Sequence, residues 1–123
     1  MKITGLRTID VAASERGDWL FVVIETDAGV TGVGEASQSG NDELVRVALR
    51  QMGDRLEGQD PRQPEVLWER LGAGGGEVFS GKSGRVGATA LSAIDQALWD
   101  LTGKAYDLPV WRLLGGRHRE RVR

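Results

Sequence analysis

The sequence predicts an α+β domain, a three-stranded antiparallel meander followed by a helical bundle. Three observations carry this. The first third is rich in β-branched and apolar residues broken by short turns. The rest places apolar residues at helical spacing between capping residues and glycine stops. The two kinds of segment are also segregated along the chain, whereas a parallel sheet needs them to alternate.

Ile3, Leu6, Ile9 and Val11 lie among Thr4, Arg7, Thr8 and Asp10 and define a first strand. Leu20-Phe21-Val22-Val23-Ile24 is an apolar run of strand length, bounded by Gly17-Asp18 and Thr26-Asp27. Asp27-Ala28-Gly29 is turn chemistry, with Gly29 free to take a positive φ. Val30-Thr31-Gly32-Val33-Gly34-Glu35 returns as a third strand, and its two glycines predict a bulge or a close backbone approach. Short turns make the meander antiparallel.

Ser39-Gly40-Asn41-Asp42 then offers a helix start, and Leu44, Val47, Ala48, Met52 and Leu56 recur at helical spacing up to Gly58. Asp60-Pro61 is a second start, followed by the apolar face Val66, Leu67, Trp68 and Leu71 and a stop at Gly72. Gly72 to Gly84 reads as a glycine-rich loop. A third helix begins near Arg85 or Val86. Ala90, Leu91, Ile94, Ala97, Leu98 and Leu101 line one side, while Ala88, Ala93 and Trp99 widen the apolar arc beyond that of a surface helix. Such a helix must be covered on more than one side. The sheet covers one side, and little else in a chain of 123 residues is expected to cover the other. Pro109 opens a last short helix, Val110, Trp111, Leu113 and Leu114, closed by Gly115-Gly116.

Composition excludes several functions. Hydrophobic residues at 40% and charged residues at 28% describe a globular chain, not a disordered one. Sixteen basic and eighteen acidic side chains leave a formal charge of −2, which argues against a polyanion or an anionic membrane as partner. Without cysteine there is no thiol catalysis, no Cys-ligated zinc and no disulfide framework. No apolar run approaches the ~20 residues of a membrane span and no signal-peptide core opens the chain, so a cytoplasmic location is expected.

Most candidate chemistry weakens on inspection. Gly76 to Ser83 formally fits G-x-x-x-x-G-K-S, but no buried parallel strand precedes it, so a connecting loop is the better reading than a nucleotide site. His118 is the only histidine and has no carboxylate to orient it. The arginines of the last seven residues form a basic tip without interleaved aromatics, which argues against nucleic acid. Glu65 and Glu69 read as exposed surface. Asp95 and Asp100 read as structural partners of nearby arginines rather than metal ligands. The polar stretches Ala12–Asp18 and Ser37–Asn41 differ in kind. In a meander the first and third strands point the same way, so loops leaving their far ends share one edge of the sheet. There they can jointly contact a ligand.

Val30 to Glu35, the block Ala90-Leu91-Ser92-Ala93-Ile94-Asp95-Gln96-Ala97-Leu98-Trp99-Asp100-Leu101-Thr102-Gly103-Lys104-Ala105, and Leu108-Pro109-Val110-Trp111-Arg112-Leu113-Leu114-Gly115-Gly116 resemble the enolase superfamily. More closely, they resemble the N-terminal capping domain of the mandelate racemase/muconate lactonizing enzyme family. Asp60-Pro61 and Leu67-Trp68 fall where that domain has them. Asp107 is a departure, because family members usually carry glycine before the Leu-Pro step.

The resemblance implies a capping domain over residues 1–116, with 117–123 leading into a (β/α) barrel that this chain lacks. The barrel would supply the second cover of the third helix. It would also hold Mg²⁺ through its carboxylates and carry the Lys or His bases that remove a proton alpha to a substrate carboxylate. This chain by itself is expected to hold no cofactor and to be catalytically inactive. The resemblance further implies a small carboxylate or acid-sugar substrate and a homo-oligomer. The parent reaction is expected to be acid-sugar dehydration ahead of racemisation, epimerisation or cycloisomerisation. By position, Ser14, Glu15, Arg16 and Trp19 in the first polar stretch and Ser37, Gln38 and Ser39 in the second match the family's specificity loops. Arg16 would pair with a carboxylate, and Ser37 and Ser39 would bind hydroxyls. The alternative is a stand-alone binding or oligomerisation module that hides the apolar face of the third helix between copies.

Overall fold

A computed structural model describes residues 1–15, 17–38, 40–73 and 84–121. Strands β1 (Ile3–Ser14), β2 (Gly17–Thr26) and β3 (Thr31–Glu35) form one antiparallel sheet in the order β1-β2-β3, the expected meander. Helices α1 (Asp42–Leu56), α2 (Pro64–Trp68), α3 (Gly84–Ala105) and α4 (Val110–Leu113) follow, and a wider helical turn (Glu69–Ala73) extends α2. The P-loop-like stretch lies outside the described residues from 76 to 83.

The period-2 alternation of β2 sends Leu20, Val22 and Ile24 into the core. Their pairing fixes the register, with Leu6 opposite Ile24 and Thr8 opposite Val22. On β3 the inward positions are Gly32 and Gly34, whose backbone lies directly on α3. The two glycines thus mark a close approach and not a bulge, because β3 pairs with β2 without a register shift. The opposite face of the sheet leaves Ile9, Val11, Trp19 and Val33 exposed.

Four sequence expectations need correction. First, Ala12–Asp18 is not a loop. Ser14 pairs with Gly17, so β1 and β2 run on as a long hairpin that places Trp19 in a strand. A register shift between Val11 and Ser14 absorbs the small residues there. Second, the buried face of α1 is Val45, Leu49, Met52, Gly53 and Leu56, while Leu44 and Val47 are exposed. Third, α3 finds its second cover within its own chain. The sheet lies on one side and α1 and α2 on the other, and Ile94, Ala97, Leu98 and Leu101 are all fully buried. The chain itself hides this row and Ala93, while Ala88 and Trp99, which widen the arc, stay half-buried. Fourth, Asp60-Pro61 does not open a helix. Helix α2 begins at Pro64, and Pro61 is buried beside α3, where its carbonyl accepts the Thr102 hydroxyl at 3.2 Å.

The departure at Asp107 has a physical meaning. Helix α3 ends in a turn where the Leu108 N–H donates to the Gly103 carbonyl at 2.9 Å, which puts residue 107 at φ +53. This is the left-handed helix terminus that glycine fills without strain. Among the described residues Asp107 is the only non-glycine with positive φ. The bend therefore survives, at a cost of about 1 kcal/mol. Asp107→Gly is expected to stabilise the domain by about that amount and raise Tm by a few degrees. Calorimetry that shows no rise would mean that the aspartate side chain recovers what its backbone loses.

Candidate functional site

β1 and β3 point the same way, so the hairpin and the segment after β3 meet at one end of the sheet. β3 reaches only to Glu35, opposite Phe21. Beyond that level, among the described residues, the hairpin projects as an arm whose two strands pair with each other and meet the segment after β3 at Leu20. Trp19 sits at its base, 54% exposed, with its ring edge-to-face on Phe21 at 6.2 Å. Glu15 is exposed near the tip, roughly 13 Å further along at strand rise.

The segment after β3 is tied to the base of this arm through one residue. Ala36 N–H donates to the Leu20 carbonyl at 2.7 Å. Leu20 N–H donates to Ser37 Oγ at 3.1 Å, so a hydroxyl takes the place of a ladder carbonyl. The Ser37 hydroxyl keeps its own proton to give. Gln38 follows, its N–H donating to Asp42 Oδ1 at 2.8 Å and its carbonyl accepting Asn41 N–H at 2.8 Å. Gln38 Oε1 is enclosed and has no hydrogen-bond partner among the described residues. An enclosed acceptor left this way costs roughly 1–3 kcal/mol.

The structure therefore gathers Trp19, Ser37 and Gln38 at one level of the sheet and leaves Glu15 at the tip of the arm. Arg16 and Ser39 lie outside the described residues, as does the side chain of Ser14. The two residues that sequence reasoning missed are Asp10 and Arg46. Arg46 on α1 donates from Nη2 to Asp10 Oδ1 at 2.5 Å and from Nε to Glu43 Oε2 at 3.2 Å. No spacing rule links a strand residue to a helix residue 36 positions later.

Other charged groups have structural partners. Arg62 holds the Asp60 carboxyl at about 2, chiefly through its side-chain hydrogen bonds of 2.9 and 2.7 Å and a backbone N–H at 3.0 Å. Asp100 pairs with Lys104 at 2.6 Å, not with an arginine. Asp95 is pushed above the usual carboxylate range by burial first and by Glu65 second, while a Trp99 hydrogen bond opposes the shift. Where the basic tip leaves α4, Arg117 stands over the Trp111 ring at 4.7 Å, and Arg112 of the helix stands over it at 5.2 Å. Among the described residues no group of three or more His, Cys, Asp or Glu can hold a metal ion. No helix among them is long and apolar enough to cross a membrane.

Residues 5–115 match the family model for the mandelate racemase/muconate lactonizing enzyme N-terminal domain. The chain belongs to this family. As such an N-terminal domain it is 43% identical over 123 residues to a D-galactonate dehydratase of Ralstonia nicotianae and 41% identical to one of Klebsiella pneumoniae. Both matches cover 100% of this chain and 30% of the relative, so the domain spans under a third of the length of these curated proteins. In three dimensions it resembles an enolase of Agrobacterium radiobacter solved with sodium and L-malate. That likeness has a TM-score of 0.88 at 37% identity and covers 99% of this chain and 30% of that one. It also resembles an enolase-superfamily member from Salmonella Typhimurium, with a TM-score of 0.83 at 33% identity, covering 99% of this chain and 31% of the other. The resemblance read from the third strand, the α3 block and the Leu108–Gly116 segment is thereby shown.

Proposed function

We propose that this domain is the substrate-specificity cap of a Mg²⁺-dependent acid-sugar dehydratase. The observation that carries the proposal is the meeting of the hairpin arm and the Ala36–Gln38 segment at one sheet edge, locked through Leu20. The D-galactonate dehydratase relatives support the substrate class. In this reading the edge closes over the mouth of a (β/α) barrel, and residues 117–123 lead into that barrel. Trp19 excludes water from the covered space, which strengthens electrostatic interactions inside. The Ser37 proton and the half-buried Gln38 side chain bind substrate hydroxyls. Arg16 and Ser39 add a carboxylate partner and a further hydroxyl contact. The described residues of this domain do not fit a Mg²⁺ site, so no step of the reaction is assigned to them. Barrel carboxylates would hold Mg²⁺, which would supply charge stabilisation next to the substrate carboxylate. A cytoplasmic homo-oligomer belongs to the same proposal.

The chain alone is expected to show no turnover of D-galactonate with Mg²⁺. Joined to the barrel of the Ralstonia nicotianae relative, it is expected to support dehydration. In that fusion Trp19→Ala should lower kcat/KM about tenfold, mostly through KM, by an amount set by lost apolar contact. Turnover by the 123-residue chain alone, or a Trp19→Ala fusion as efficient as the parent fusion, would count against the proposal.

A further inference from the structure

The hairpin arm carries half of the candidate edge, yet beyond Phe21 it has no third strand to steady it. At its base runs a ring of contacts, polar except where Asp10 faces Leu20 across the β1–β2 ladder. Arg46 of α1 grips Asp10 of β1. Asp10 stands opposite Leu20 of β2. The Leu20 backbone holds Ala36 and Ser37, and Gln38 returns to α1 through Asp42. The strand members of this ring lie at the base of the arm.

Arg46 is the only member whose side chain joins the helical layer to the arm's own strand. Its side chain is 26% exposed against 51% for Asp10, so water screens the pair only in part. The guanidinium is also held from a second direction by Glu43, which limits the rotamers it can take. Its Nη1 is enclosed and has no partner among the described residues. A guanidinium that accepts this enclosure sits there for geometry more than for net stability.

We propose that Arg46 is a positioning residue that holds the hairpin arm at a fixed angle to the Ala36–Gln38 segment. The two walls of the edge then keep the spacing that a substrate meets. The second half of this statement rests on the reading of that edge as a substrate wall; the first half does not.

Amide hydrogen exchange by NMR on this chain tests the first half directly. In Arg46→Met the amides of Val11, Trp19 and Leu20 are expected to exchange about three- to tenfold faster, the range for losing a partly buried charged hydrogen bond. Core amides such as Ile24 and Leu98 should keep their rates. Arg46→Lys should return part of the protection, because it restores the charge without the fork. Asp10→Asn, which leaves the helix untouched, should loosen the same amides, and it stands in if the methionine variant does not fold. Unchanged arm exchange in both variants would overturn the proposal. So would a rise shared equally by arm and core. In the barrel fusion, Arg46→Met should raise KM with kcat nearly kept. An arm that loosens while KM stays constant would uphold Arg46 as the arm's anchor and defeat the substrate-wall reading.

Discussion

Gly34→Val yields no folded domain, and Gly34→Ala loses at least about 3 kcal/mol; these are the expected results of adding a side chain where β3 meets α3. A Cβ on Gly34 would lie 2.0 Å from the Ala93 carbonyl oxygen and 2.9 Å from its carbon. At Gly32 the same atom would lie 2.0 Å from the Ala97 oxygen and 2.7 Å from Leu101 Cβ. These are mostly backbone atoms of a helix, so no rotamer change relieves the overlap. The helix would have to move off the strand, and that would open the contact lined by Val22, Ile94 and Leu98, each fully buried. Gly5→Ala is the control, because a Cβ there meets nothing within 4 Å and its φ is not positive. That variant should stay within about 0.5 kcal/mol of the parent. Urea unfolding followed by circular dichroism reads both. A Gly34→Ala midpoint matching that of Gly5→Ala would show that strand and helix are not in direct backbone contact.

The two glycines were legible because their types and their alternation with Val33 state the constraint locally. The α3 block was legible for a similar reason, since Ala93 and Ala97 are the small partners that a glycine strand demands. Features that depend on distant residues were not. Ala12, Ala13 and Ser14 have little strand propensity, and only the pairing of Ser14 with Gly17 extends the hairpin. On α1 two apolar arcs compete, one through Leu44 and Val47 and one through Val45 and Leu49, and periodicity alone does not choose between them. The core chose the second. That choice also supplies α3 with the cover that seemed missing. For the candidate edge, meander topology already placed Trp19 and Ser37–Gln38 at the same end. The Leu20 backbone and the Asp10–Arg46 pair that fasten them leave no trace in local pattern.

Asp100→Ala is expected to cost about 1.5 kcal/mol, the low end for a hydrogen bond to a charged group, because the contact is exposed. β3 is an edge strand, and the N–H groups of Val33 and Glu35 point away from β2. Such an edge is open to pairing with another chain. Here α3 fills the place of a fourth strand with side chains. Gln96 Oε1 accepts the Glu35 N–H at 3.2 Å, and Asp100 Oδ2 accepts the Val33 N–H at 2.9 Å. Lys104 Nζ donates to the Thr31 carbonyl at 2.9 Å and to Asp100 at 2.6 Å. The match is geometric. Four residues of helix rise about 6 Å, close to the roughly 6.7 Å spanned by two residues of strand, so positions 96, 100 and 104 fall in step with 35, 33 and 31. The chemistry is in step as well, with acceptors opposite N–H groups and a donor opposite the carbonyl. Removing the central acceptor unpairs Val33 and leaves Lys104 only its Thr31 contact, so the edge opens at its middle. Asp100→Asn keeps an acceptor of the same shape and should lose about half as much. Sedimentation of Asp100→Ala should also show stronger concentration-dependent association than the parent chain. A variant that stays within 0.5 kcal/mol of the parent by urea unfolding and remains equally monodisperse would mean that water satisfies the Val33 N–H as well as Asp100 does.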